Sequence, residues 1–94
     1  LKTSVQRLSD ALQDAGASYM EWGVGVTQPE GDEKEFENLR EAVQSASLKP
    51  EAWNCFVPAH HRITGPDVDL KRVLEYCDVA MQRCRALGGE VIVL

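Results

Sequence analysis

The side chains best suited to chemistry fall in two short stretches. The first, CFVPAHHRITGPDVDLKR from Cys55 to Arg72, holds both histidines of the chain side by side with an arginine next to them. Imidazole ordinarily changes charge near neutral pH, so His60 or His61 can donate a hydrogen bond or carry a proton. Arg62 adds a fixed charge with planar donors, suited to an anionic or polyol substrate. The simpler alternative is two solvated loop histidines. Zinc needs at least three protein ligands, and no partner with ligand spacing accompanies the pair. Adjacent side chains also diverge, so no metal ligand is expected here.

The second stretch is YMEWG, Tyr19 to Gly23. On a strand, Met20 and Trp22 face packed helices and period two turns Glu21 to the opposite face. A carboxylate there is costly unless it is paired, or bound to substrate or metal. Glu21 is therefore expected either to act on a substrate or to sit in an ion pair. Asn54, in EAWNCFV, belongs to the next strand and can share that face. Trp22, Trp53 and Phe56 read as core, and Asp67 and Asp69 as turn and cap residues. WGVGV lacks the third glycine and the helix start of a dinucleotide fingerprint. EGDEKEFE reads as a solvated helix start.

The elements that must position these groups alternate. In TSVQRLSDALQDAG, Val5, Leu8, Leu12 and Ala15 recur at helical spacing, with Thr3 or Ser4 as cap and Gly16 as the C′ residue. ASYMEWGVGV reads as a strand ending near its glycines. A second helix starts at Asp32, with Glu35 at capping-box spacing and a stripe of Phe36, Leu39, Val43 and Ala46. EAWNCFV, with Cys55 inside it, is the second strand. DLKRVLEYCDVAMQRCRALGG is the third helix, capped by Asp69, stopped by Gly88, and striped by Val73, Leu74, Cys77, Met81, Cys84 and Leu87. EVIVL is the last strand, and its lack of alternation suits cover on both faces.

The order is α-β-α-β-α-β, and strands joined by helical crossovers are parallel. Right-handed crossovers stepping the same way cover one sheet face only. Either further units close the sheet into a barrel, or another chain covers the second face. A start directly on a helix and an end inside a strand give the expectation of a segment from something longer, one partial domain over residues 1–94.

Composition narrows the classes. The chain has 94 residues, 44% hydrophobic and 27% charged, with a net charge of −5, so it is globular rather than disordered. It lacks the basic stripe of a nucleic-acid binder and the apolar run of a membrane span, and no nucleic-acid or membrane partner is expected. Three cysteines give an odd count. Cys77 and Cys84, seven apart on one helix, lie about 10 Å apart, beyond disulfide reach. Reduced core thiols and a cytoplasmic protein are the expectation.

DAGASYMEWG resembles the first helix and second strand of the xylose isomerase-like barrels, the sugar phosphate isomerase/epimerase superfamily. The run from Cys55 to Leu94, with its GPDVD turn and ALG-x-x-x-I-V-x ending, is similar to the same superfamily. The resemblance implies about three of the eight βα units of a (β/α)8 barrel. It implies a parent enzyme that moves protons on a ketose, aldose or sugar phosphate with a divalent metal such as Mn, Mg or Zn. Glu21 would then be catalytic, facing the barrel interior, and Asn54, His60, His61 and Arg62 would contact substrate on the loop face. The family's main metal ligands belong to later strands, so this chain alone is expected to bind no metal tightly and to be inactive. Its expected partner is itself or the rest of the barrel. The alternative is a non-catalytic α/β module that binds a partner, or itself, through its uncovered sheet face. A flavodoxin-like or response-regulator-like domain fits less well, for want of a glycine- or acid-rich loop after a first strand.

Overall fold

A computed structural model describes all 94 residues. Helices α1 (Lys2–Asp14), α2 (Glu33–Gln44) and α3 (Leu70–Ala86) alternate with strands β1 (Met20–Gly23), β2 (Pro50–Asn54) and β3 (Val91–Ile92). The strands form one parallel sheet in the order β1-β2-β3. The architecture is α/β, with three helices and three parallel strands in αβαβαβ order.

The register sorts the side chains into two rows. Trp22, Trp53 and Ile92 align across the sheet, as do Glu21, Ala52 and Val91. The first row meets the helices. Trp53 is fully buried in one cluster with Val5 of α1, Leu39 and Val43 of α2, and Tyr76 and Ala80 of α3, and Trp22 and Ile92 pack against it. The two indoles meet edge to face, centroids 5.8 Å apart. The second row has no helix over it. The sheet is covered on one face and bare on the other, which gives the molecule a thin dimension of only 18 Å.

Local chemistry sets most element ends. Asp32 and Asp69 cap α2 and α3, accepting from the Lys34 and Arg72 amides at 3.0 and 3.1 Å. Gly16 and Gly88, at φ +95° and +94°, take the left-handed turn that follows α1 and α3. Lys49 Nζ donates to the carbonyls of Val43, Gln44 and Ala46, gathering acceptors at and just past the end of α2. Ser9 ties α1 to the start of β2: its buried Oγ accepts from the Leu48 amide at 2.8 Å.

Several expectations are corrected. The first helix begins at Lys2, so Leu1 is its N-cap and Thr3 and Ser4 already lie within it. β1 is shorter than ASYMEWGVGV: Val24–Thr27 winds into a 3-10 turn held by the Thr27 hydroxyl on the Val24 carbonyl at 2.9 Å. Cys55 is not in β2. It adopts φ 51°, a left-handed conformation costing a non-glycine residue about 1–2 kcal/mol, and turns the chain out of the sheet.

The α2 stripe of Phe36, Leu39, Val43 and Ala46 packs on the core as expected. So do Val5 of α1 and Val73, Cys77, Cys84 and Leu87 at the third helix, but parts of the α1 and α3 faces differ. α1 buries Val5 and Ser9 while Leu8 is exposed. α3 buries Tyr76, Ala80 and Arg83, and leaves Leu74 and Met81 on an uncovered flank. Tyr76 and Arg83 carry long apolar bodies that cover core, and the Arg83 guanidinium finds carbonyl partners at its rim. EVIVL is covered on one face only, through Ile92, with Val91 and Val93 exposed. Its pairing extends past the two-residue strand through Glu90 and Val93, whose amides donate to Glu51 and Trp53 at 2.7 and 2.8 Å.

Candidate functional site

The loops after β1 and β2 leave the same end of the parallel sheet, and their side chains meet there. After β1 the chain makes a tight turn, with the Gly31 amide donating to the Gln28 carbonyl at 2.7 Å. Gln28 has φ 47°, and a Cβ on Gly31 would lie 2.9 Å from Gln28 Cβ, so the turn requires glycine there. Arg83 holds this turn from α3. Its Nη1 donates to the Thr27 carbonyl at 2.9 Å and to that of Gln28, Nη2 reaches Gly31, and the guanidinium lies 5.0 Å from the Phe36 ring centroid. A buried arginine without a carboxylate partner is thus satisfied by backbone, and the turn is pinned with Glu30 at its tip.

The loop after β2 brings the histidines to Glu30. A turn from Pro58 to His61, closed by the His61 amide on the Pro58 carbonyl at 3.0 Å, sets the two rings beside each other. Their centroids are 4.5 Å apart, so the adjacent side chains converge rather than diverge. His61 is buried, its ring 5.0 Å from that of Tyr76. Its Nε2 touches Glu30 Oε1, while Arg72 Nη2 donates to Glu30 Oε2 at 2.8 Å. The Arg72 hydrogen bond, with lesser help from the charges of Arg72 and His61, holds the Glu30 carboxyl below the ordinary carboxylate range. Burial pushes the Tyr76 phenol up.

The second grouping lies on the bare sheet face. Asn54 Nδ2 donates to Glu21 Oε2 at 2.8 Å across β1 and β2. Glu21 does sit opposite Met20 and Trp22, and its partner is an amide rather than a cation. Along the same face run Ala52 and the exposed Val91 and Val93. The face is therefore polar at Glu21 and Asn54 and apolar toward β3.

No family model, curated protein or solved structure matches the chain.

Of the residues singled out in the sequence, the structure joins Glu21 with Asn54 and His60 with His61. Arg62 is exposed and stands outside the ion pairs around Glu30. Glu30, Arg72 and Tyr76 were not singled out. Glu30 opens the run EGDEKEFE, whose acids suit a solvated helix start, and Arg72 lies in a helix start whose visible signal is the Asp69 cap. One signal was available: successive βα loops of a parallel sheet leave adjacent strands at the same end, so PEG and PAHHR had to be neighbours.

Proposed function

We propose that the chain is a segment of a sugar (phosphate) isomerase/epimerase-like (β/α)8 barrel, working in the cytoplasm, with the bare sheet face turned to the barrel interior. The observation that carries this reading is the Glu21 carboxylate, oriented by Asn54 on the face that no helix covers. In such a barrel, the interior is filled by side chains and the reacting groups gather toward the C-terminal ends of the strands. Ala52, Val91 and Val93 suit the filling role, and the Glu21–Asn54 pair suits the reacting one. The exposed Leu74 and Met81 of α3 and Leu8 of α1 then face the helices of flanking units.

The chemistry is proton transfer on a ketose, aldose or sugar phosphate. Glu21 takes the proton from the carbon next to the carbonyl and returns it to the neighbouring carbon, and the Asn54 amide fixes the carboxylate direction. His60, His61 and Arg62 lie on loops at the same end of the sheet and contact the substrate's hydroxyls or phosphate. The parent family implies a divalent metal. Glu21 with Asn54 offers one carboxylate and one amide, too few donors for such an ion, so its ligands belong to other parts of the barrel. Held by those other ligands, the ion would polarise the substrate carbonyl. Activity belongs to the closed barrel, since three strands cannot surround a sugar.

The test is solvent exchange. The full-length protein, incubated in deuterium oxide with a panel of ketoses, aldoses and their phosphates and with Mn, Mg or Zn, should exchange the proton next to one sugar's carbonyl, seen by proton NMR. Absence of exchange across the panel would overturn the reading. The exposed Val91 and Val93 favour a second one, a non-catalytic module that docks a partner or a second copy on this face.

A further inference from the structure

We propose that Glu30, His60 and His61 form a binding site for a divalent transition ion of borderline softness, zinc(II) above all, with one coordination position left for water or a substrate oxygen. The site lies on the loops after β1 and β2, so the proposal stands whether or not the chain is part of a sugar-processing barrel.

The donors are already gathered. One ligand atom from each of the three residues lies within 4.8 Å of the other two. Around tetrahedral zinc, with bonds of about 2.0–2.2 Å, donors stand about 3.3 Å apart, so closing on an ion asks for small side-chain movements and no refolding. A second observation points the same way. The His61 side chain is 2% exposed, and its Nε2 lies against Glu30 Oε1, so the buried imidazole and the carboxylate already face one another. An ion seated between them would take both as ligands in place of the ion pair they make without it.

The surroundings match those of a built site. Arg72 holds Glu30 Oε2 and leaves Oε1 toward the histidines, the kind of outer contact that fixes a ligating carboxylate. The Tyr76 ring packs on His61 and limits its rotation. His60 and Glu30 border an open groove of about 250 Å³ with Gly25, Pro58 and Tyr76, which gives an ion and a small ligand a way in. The donor set also chooses the metal. Two imidazoles and one carboxylate suit zinc, cobalt, nickel or copper, whereas magnesium and calcium favour oxygen donors. One anionic ligand beside the Arg72 charge keeps affinity moderate, and three protein ligands leave the open position of a catalytic rather than a structural zinc site.

The test titrates the whole chain with zinc chloride by calorimetry and with cobalt(II) by visible absorption. One equivalent of zinc should bind in the micromolar range, cobalt should develop tetrahedral bands, and magnesium should not compete. Affinity should fall with acid, because the ligands must be deprotonated. Glu30→Gln and His60→Ala change exposed side chains, so both should fold, and each should weaken zinc at least tenfold. Cys55→Ser should leave binding unchanged. No zinc binding at millimolar concentration, zinc binding unaffected by both ligand substitutions, or binding lost in Cys55→Ser would each overturn the proposal.

Discussion

A glutamate at the tip of the first βα loop shows how little distance in sequence says about distance in space. Glu30 takes Arg72 on one oxygen and His61 on the other, and its carboxyl is held below the ordinary range. The sign for stability follows from linkage. A carboxyl whose folded pKa is depressed contributes above its unfolded pKa, and the contribution fades as pH falls through the folded value. Arg72→Gln should therefore lower the melting temperature at pH 7, and the difference from wild type should close below about pH 4, near and under the ordinary glutamate pKa. Melting curves between pH 3 and 7 check this; a difference that persists at pH 3 would show that Arg72 acts through packing. The thiols make a second contrast. Cys55 is exposed, Cys77 half-buried and Cys84 buried, its thiol pushed up to about 11. At pH 8 a disulfide reagent should modify Cys55 quickly, Cys77 slowly and Cys84 only on unfolding. Fast modification of two thiols besides Cys55 in the native chain would contradict the placement of α3.

At the scale of the element, period and capping made three helices and three strands legible, because each depends on neighbours a few residues away. Asp32, Asp69, Gly16 and Gly88 do what their types predict. The placement of Glu21 opposite Met20 and Trp22, beside Asn54, was legible for the same reason: strand parity is local. Local pattern places the α2 face, with Leu39, Val43 and Ala46 buried, but it does not settle the flanks of α1 and α3. Leu74 and Met81 fit the α3 stripe as well as Tyr76 and Arg83 do, and only the position of the sheet and of the first βα loop decides between them. Arg83 matters most here, because its guanidinium collects carbonyls of the turn that carries Glu30. Arg83→Met keeps the apolar body and removes the donors. It takes the guanidinium from the buried Thr27 carbonyl, at about 1–3 kcal/mol. Denaturant unfolding should show a loss of that size, with faster amide exchange at Gln28 and Gly31 than elsewhere. Unchanged protection of that turn would show that it is held without Arg83.

For the whole molecule, the decisive feature is a sheet with one bare face and two free edges. Val91, Val93, Leu8 and Met81 are exposed together with unpaired strand backbone, a combination that favours association. Analytical ultracentrifugation of the isolated chain should show self-association that rises with concentration. A compact monomer of 10.4 kDa across the range would mean that the bare face is stable in water. If a barrel closes over that face, Glu21 passes from solvent to the interior beside the substrate. Glu21→Gln keeps the shape and the Asn54 neighbour while removing the base. In the full-length protein, on whichever sugar shows solvent exchange, kcat/KM should fall by about 10²-fold or more, the usual scale for a positioned acid or base, with the melting temperature nearly unchanged. Near-wild-type turnover accompanied by a lowered melting temperature would contradict the account and leave Glu21 as a structural residue of the sheet.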